Sequence, residues 1–275
     1  MSATLEARDV VKTFTVRRDG RVRTINAVNH VSLGVASGEI VGLVGESGSG
    51  KTTIARILIG IEQPTSGEVT YGGQPVRLRD EWRRLRREVQ YVFQDPFTAL
   101  CPTMRIADAL AEPLAIHGIC PRAERPTRVA RMLETVGLHS DMGRRLPNQL
   151  SGGQRQRINL ARALMLEPKI LICDEIVSGL DVSVQAQVMQ LLLDLQQKLS
   201  LSLLFISHDL RVIHYLCDRV LVMYLGELVE QGPTALVFDS PQHAYTRSLL
   251  AAIPDHLRST EPFSRTLALD VPPAP

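Results

Sequence analysis

Hydrophobic spacing divides the chain into short apolar runs alternating with amphipathic stretches. Leu5 to Val35 has a short, strand-like pattern, with turn residues at Arg18-Asp19-Gly20 and polar punctuation at Asn26 and Asn29. Gly38 opens GEIVGLVG, an apolar run of the kind that forms a buried parallel strand. The run ends in ESGSGKTT, after which Ile54, Leu58 and Ile61 recur at helical spacing near Gly60 and Pro64. GEVTYGG reads as a strand, Arg77 to Glu88 as a charged stretch, and VQYVF as a strand ending at Gln94-Asp95-Pro96. From about Pro102 to Leu150 the pattern is helical, punctuated by Pro113, Pro121, Pro126 and Pro147, which suggests an inserted helical lobe. A helix is predicted from Ser151 to Leu166, halted by Glu167-Pro168, then a buried strand Lys169–Glu175 with acids at its end. Val184 to Leu199 reads as an amphipathic helix, and Leu201 to Ile206 as a buried strand ending in Ser207-His208-Asp209. RVLVMY and ELVEQG around Leu225-Gly226 predict a hairpin. The polar, proline-rich stretch after Pro254 is expected to be loosely held. Strands alternating with helices predict an α/β fold with a largely parallel sheet.

Composition narrows the class. With 275 residues, 44% apolar, 22% charged and a formal charge of +2, the chain can bury a core and is not expected to be disordered. No run of ~18 apolar residues is free of charged, polar, Gly or Pro interruption, so a membrane span is not expected. The acidic opening MSATLEARD does not read as a secretory signal. Arg77 to Arg87 is basic, but Asp80, Glu81 and Glu88 interleave it, and 31 basic residues balance 29 acidic ones. A solvated face is expected there, with no nucleic-acid partner. Cys101, Cys120, Cys173 and Cys217 lack a CxxC spacing, so reduced structural thiols in a cytosolic compartment are predicted.

Candidate chemistry sits at strand ends. Gly45-Glu46-Ser47-Gly48-Ser49-Gly50-Lys51-Thr52, continued by Thr53, fits G-x-x-x-x-G-K-[ST] between a predicted strand and a predicted helix. Such glycines let backbone N–H groups turn inward on an anion, and the helix N-terminus adds its positive dipole end. Lys51 is placed for the β- and γ-phosphates of a nucleotide, and the Thr52 hydroxyl for Mg²⁺. Asp174 is placed for the same Mg²⁺, Glu175 to polarise an attacking water, and His208 to contact the γ-phosphate.

Leu150-Ser151-Gly152-Gly153-Gln154, lying between this loop and the Asp-Glu pair, makes the chain resemble an ATP-binding-cassette (ABC) ATPase. The resemblance runs from about Leu5 to Ile253 and rests on Phe14, the phosphate loop, Gln94, LSGGQ, ILICDE and His208 in the family's order. It implies a P-loop NTPase (RecA-like) parallel-sheet core with an antiparallel β subdomain and an inserted helical signature subdomain. The domain would cover residues 1–254, with the helical part at 97–150 and a short tail at 255–275. It also implies ATP and Mg²⁺ as cofactors. Ser151, Gly152, Gly153 and Gln154 would serve the nucleotide of a second ABC ATPase chain, a paralogue or a copy of itself, with Asp181 in the segment crossing that interface. Phe14 would stack on adenine, the alternative being a core aromatic on the N-terminal strand. Gln94 would sense Mg²⁺ and the γ-phosphate and touch a transmembrane permease subunit, the alternative being a turn residue before Pro96.

Asp174-Glu-Ile-Val-Ser-Gly-Leu-Asp181 departs from the family's usual DEPTSALD, so the stiffness beside Glu175 is open. Cys101 stands where Asn is common and is assigned no chemistry. Ser240-Pro-Gln-His243-Ala-Tyr245-Thr-Arg247-Ser-Leu-Leu-Ala-Ala-Ile-Pro254 is similar to the tail of oligopeptide, dipeptide and nickel importer ATPases. That likeness implies a peripheral protein on the cytoplasmic face of the inner (plasma) membrane, served indirectly by a periplasmic or extracellular solute-binding protein. With no Cys beyond Cys217, the iron–sulfur cluster of some relatives is not expected. The alternatives are an ABC exporter cassette or a non-transport ABC ATPase. The 100 residues from Lys51 to Ser151 leave no room for the coiled coil of repair enzymes, and translation factors carry two cassettes.

Overall fold

The computed structural model describes residues 3–18, 21–95 and 99–252. Asp19-Gly20 of the expected turn, Pro96, the start of the helical lobe at Phe97 and the 255–275 tail lie outside the described residues. In chain order the strands are β1 (Ala3–Arg18), β2 (Arg21–Ala36), β3 (Ile40–Val44), β4 (Ser66–Tyr71), β5 (Gln74–Pro75), β6 (Val89–Val92), β7 (Ile170–Asp174), β8 (Ser202–Ile206), β9 (Arg219–Tyr224) and β10 (Glu227–Pro233). The chain divides into two compact units, one containing residues up to Arg77 and from Leu203 onward, the other Leu78–Ser202.

The first unit holds two layers of strands. One is antiparallel, in the order β2-β1-β4-β5. Its β1 and β2 are 16-residue strands, longer than the short pattern in the sequence suggests. Register shifts, one of them between Ala7 and Val10, explain the difference, because each restarts the apolar alternation. Near that shift Asp9 and His30 adopt positive φ, and His30 Nδ1 lies 2.8 Å from Asp9 Oδ1. The other layer runs β10-β9-β3-β8, with β3 parallel to both β9 and β8. Every residue of β3 and β8 is buried, as expected of a parallel strand covered on both faces. β9 and β10 form the predicted hairpin, turning at Leu225 and Gly226, both with the positive φ of a type I′ turn. Arg219 on β9 donates to both carboxylate oxygens of Glu39 and to Gly34 O.

The second unit is mostly helical, around the parallel pair β6 and β7. Helix Arg79–Glu88 buries only Leu85, so the arginine-rich stretch is the solvated face its charges predict. Among the helices expected in the lobe, Ile106–Ile116 carries Pro113 toward its C-terminal end. Burial of Leu110 and Leu114 on either side offsets the lost backbone bond. Arg162 on helix Gly152–Leu164 ties the lobe down through Glu112 (2.8 Å) and Ala99 O (2.6 Å). Among the described residues no helix is long and apolar enough to cross a membrane.

Candidate active site

In the first unit, β3 delivers the chain into Gly45–Gly50 and helix Lys51–Leu58. A Cβ on Gly45 would lie 2.1 Å from Met223 O, and one on Gly50 2.1 Å from Ala27 O, so only glycine fits either place. Both also have positive φ, and Gly50 forms the left-handed N-cap of a helix with neither a side-chain cap nor an acidic residue in its first turn. The helix N-terminus therefore keeps its donors and its positive end for an anion. Lys51 is buried at 5% exposure, and its ammonium donates to Gly45 O (2.8 Å), Glu46 O (2.7 Å) and Ser49 Oγ (3.4 Å). The cation is thus held against the loop's own backbone, while Thr52 and Thr53 follow half-buried on the first helical turn. Ser47 and Gly48 stand exposed at the tip. Such an array can bind a polyphosphate.

His208 is exposed just after β8. Its neighbour Asp209 caps the following helix and holds Arg211 through both carboxylate oxygens. Burial pushes the Asp209 carboxyl up, but the Arg211 hydrogen bonds outweigh it and hold the group below its ordinary value. Phe14 is half-buried rather than in the core, with the Lys12 ammonium 4.9 Å from its ring centroid.

In the second unit, Asp174 ends β7 with 4% exposure. Its Oδ2 accepts a hydrogen bond from the Tyr91 hydroxyl, and its Oδ1 is buried with no hydrogen-bond partner. A buried carboxylate oxygen left over in this way suits a hard divalent cation such as Mg²⁺. Glu175 follows with φ 49°, and its Oε2 accepts from the Gln94 side-chain amide at 2.8 Å. Gln94 and Glu175, 81 residues apart, are thus brought together. The unusual Ile176 and Val177 are buried, and Ser178 donates from both N–H and hydroxyl to Glu175 O. This turn is braced by packing and hydrogen bonds in place of the family's proline. Gly179, at φ 73°, occupies a conformation that alanine would strain.

Ser151 caps helix Gly152–Leu164: its Oγ accepts from Gln154 N–H (3.3 Å), and Gln154 Oε1 accepts from Ser151 N–H (3.0 Å). This is a complete capping box. Gly153 packs against Val184, whose Cγ1 would lie 2.6 Å from an added Cβ. Asp181 precedes the helix Val182–Leu199 and is exposed. Farther along the signature helix, the Asn159 amide donates to Phe93 O, one residue before Gln94. A cleft of about 310 Å³ opens beside this contact, lined by residues including Gln90, Tyr91, Phe93, Glu112, Asn159 and Arg162.

Two tyrosines in these surroundings escape sequence reasoning. Tyr91 meets Asp174 across 83 residues, and the Tyr245 hydroxyl accepts the Glu46 N–H across 199. Neither sits in a motif that names its partner.

Strand–loop–helix geometry with a buried lysine defines a P-loop nucleotide-binding protein. Residues 28–178 match the ABC transporter family, and the chain belongs to that family as an ATP-binding, ATP-hydrolysing cassette. A Brucella ovis protein, provisionally named a peptide import ATP-binding protein, is 49% identical over 95% of this chain and 81% of its own length. A Brucella abortus protein of the same provisional name is 50% identical over 90% of this chain and 75% of its own. Among solved structures, cbiO1 from Clostridium perfringens, part of the ABC transporter complex cbiONQ, superimposes with TM-score 0.75 at 27% identity, over 87% of this chain and 92% of that one. The ATP-binding cassette MJ0796, seen as a dimer in a post-hydrolysis state bound to ADP and Pi, gives 0.74 at 30%, over 84% and 98%.

Proposed function

We propose that the chain energises peptide import, hydrolysing ATP as one of two cassettes docked beneath transmembrane permease subunits. The observation that carries the peptide reading is near-half identity, along most of the chain, to proteins named for peptide import. The 240–254 segment, similar to oligopeptide, dipeptide and nickel importer ATPases alike, supports import without choosing among those cargoes.

In this reading the backbone of Gly45–Thr53 and the Lys51 ammonium hold the phosphates, and Phe14 stacks on the adenine. Thr52, Gln94 and Asp174 would hold Mg²⁺, the free Asp174 Oδ1 being the donor suited to it. When bound, the ion offsets phosphate charge. Glu175 accepts a proton from the attacking water as the water oxygen bonds to the γ-phosphorus and the bond to the bridging β–γ oxygen breaks, leaving ADP and phosphate. Gln94, hydrogen-bonded to Glu175, orients that carboxylate, and His208 contacts the γ-phosphate. Ser151, Gly152, Gly153 and Gln154 contact the nucleotide of the second cassette. The Asn159–Phe93 contact supports a lever between the signature helix and the Gln94 loop, with a permease segment seated in the neighbouring cleft. The complex works at the cytoplasmic face of the inner membrane and receives its peptide from a solute-binding protein outside. Purifying the chain with its partner subunits and titrating their solute-binding protein tests this reading: peptides should bind, and binding of nickel alone would overturn peptide import.

A further inference from the structure

The phosphate loop is tied to its surroundings at two backbone points inside the first unit. At its middle, Gly226 N–H in the β9–β10 turn donates to Ser49 O at 3.0 Å. At its start, Glu46 N–H donates to the Tyr245 hydroxyl at 2.9 Å. The second tie is built with care. The Tyr245 ring stacks on Tyr224, with centroids 4.1 Å apart, and Tyr224 ends β9 at the same hairpin. Glu230 on β10 accepts from the backbone N–H groups of Gln242 (2.7 Å) and His243 (2.9 Å). His243 Nδ1 then accepts from Tyr245 N–H (3.2 Å), capping helix Ala244–Ala251. The Arg247 guanidinium closes the bend on Pro241 O and Gln242 O. One hairpin therefore grips the loop directly and also aims the tyrosine that grips it a second time.

We infer that Tyr245 is a positioning residue for nucleotide binding: its hydroxyl fixes the entry to the phosphate loop, and the Glu230–His243 turn delivers it there. A hydrogen bond to Glu46 N–H limits rotation of the peptide just after Gly45, so the donors downstream meet a polyphosphate already aligned. The inference rests on the reading that Gly45–Thr53 holds the phosphates of ATP.

Tyr245→Phe keeps the ring and removes the tie. Calorimetric titration of the full chain with MgATP and, separately, with inorganic pyrophosphate should show both weakened about threefold. KM for ATP should rise by the same factor with kcat unchanged, and the melting temperature should stay close to wild type. Unchanged affinity for both probes would overturn the inference, and so would weakening of ATP alone, because pyrophosphate reports the loop without the base. Glu230→Gln should weaken both probes in the same direction, and the double variant should be no weaker than Tyr245→Phe alone; additive losses would contradict delivery through Glu230. Lys51→Ala serves as the parallel control. Wild-type ATP affinity there would sink the phosphate-loop reading itself, whereas its loss alongside an unaffected Tyr245→Phe would sink only the role of Tyr245.

Discussion

The two glycine-rich helix starts of this chain are built on opposite plans. At Gly45–Lys51 the glycines take positive φ, the helix has no side-chain cap, and a buried lysine lies against the loop. At Ser151–Gln154 the helix is closed by its own capping box, and Gly153 serves close packing against Val184. The first leaves a helix start uncapped and free of acidic side chains, as an anion would require. The second is a finished structural element whose nearest cation, Arg155, donates to Leu150 O just before the cap, consistent with a surface that contributes to a site assembled with another chain.

Substitutions can break that contrast. Lys51→Ala should lower ATP affinity of the isolated chain about 100-fold, the scale of a lost charge-assisted contact, as read by equilibrium binding. Gly153→Ala should leave that affinity intact but destabilise the fold by about 1–2 kcal/mol through overpacking on Val184, visible in denaturant melts. Ser151→Ala should cost about 1 kcal/mol by loss of the cap, again with wild-type ATP binding to the single chain. Weakened single-chain binding in either signature variant would erase the distinction.

A smaller effect concerns acid. Burial raises the Glu39 carboxyl, but the Arg219 hydrogen bonds and charge hold it below its ordinary value. Glu230 is likewise held low, its burial outweighed by the Gln242 and His243 backbone donors. Asp209 behaves in the same way with Arg211. A depressed folded pKa means that the unfolded chain binds more protons in acid. The stability these three carboxylates contribute should therefore be full above the ordinary carboxylate range and be lost as pH drops through it. Glu39→Gln should flatten the fall, as followed by melting temperature against pH.

Contiguous signals were legible in sequence: the phosphate loop, the signature, the Asp-Glu pair and the Leu225-Gly226 turn each fit within a few residues. The long β1–β2 pair was obscured because bulges interrupt its alternation. Tyr91 and Tyr245 were invisible for another reason: a hydrogen bond across 83 or 199 residues leaves no local spacing to read.

The most direct measurement is ATP-driven uptake of a labelled peptide into proteoliposomes carrying this chain with its permease partners, compared with Glu175→Gln. The account predicts peptide accumulation with the native chain. The variant should still bind ATP and hold a closed pair of cassettes, but its hydrolysis should fall by about 10²–10⁴-fold and its uptake should cease. Uptake and turnover undiminished by Glu175→Gln would contradict it.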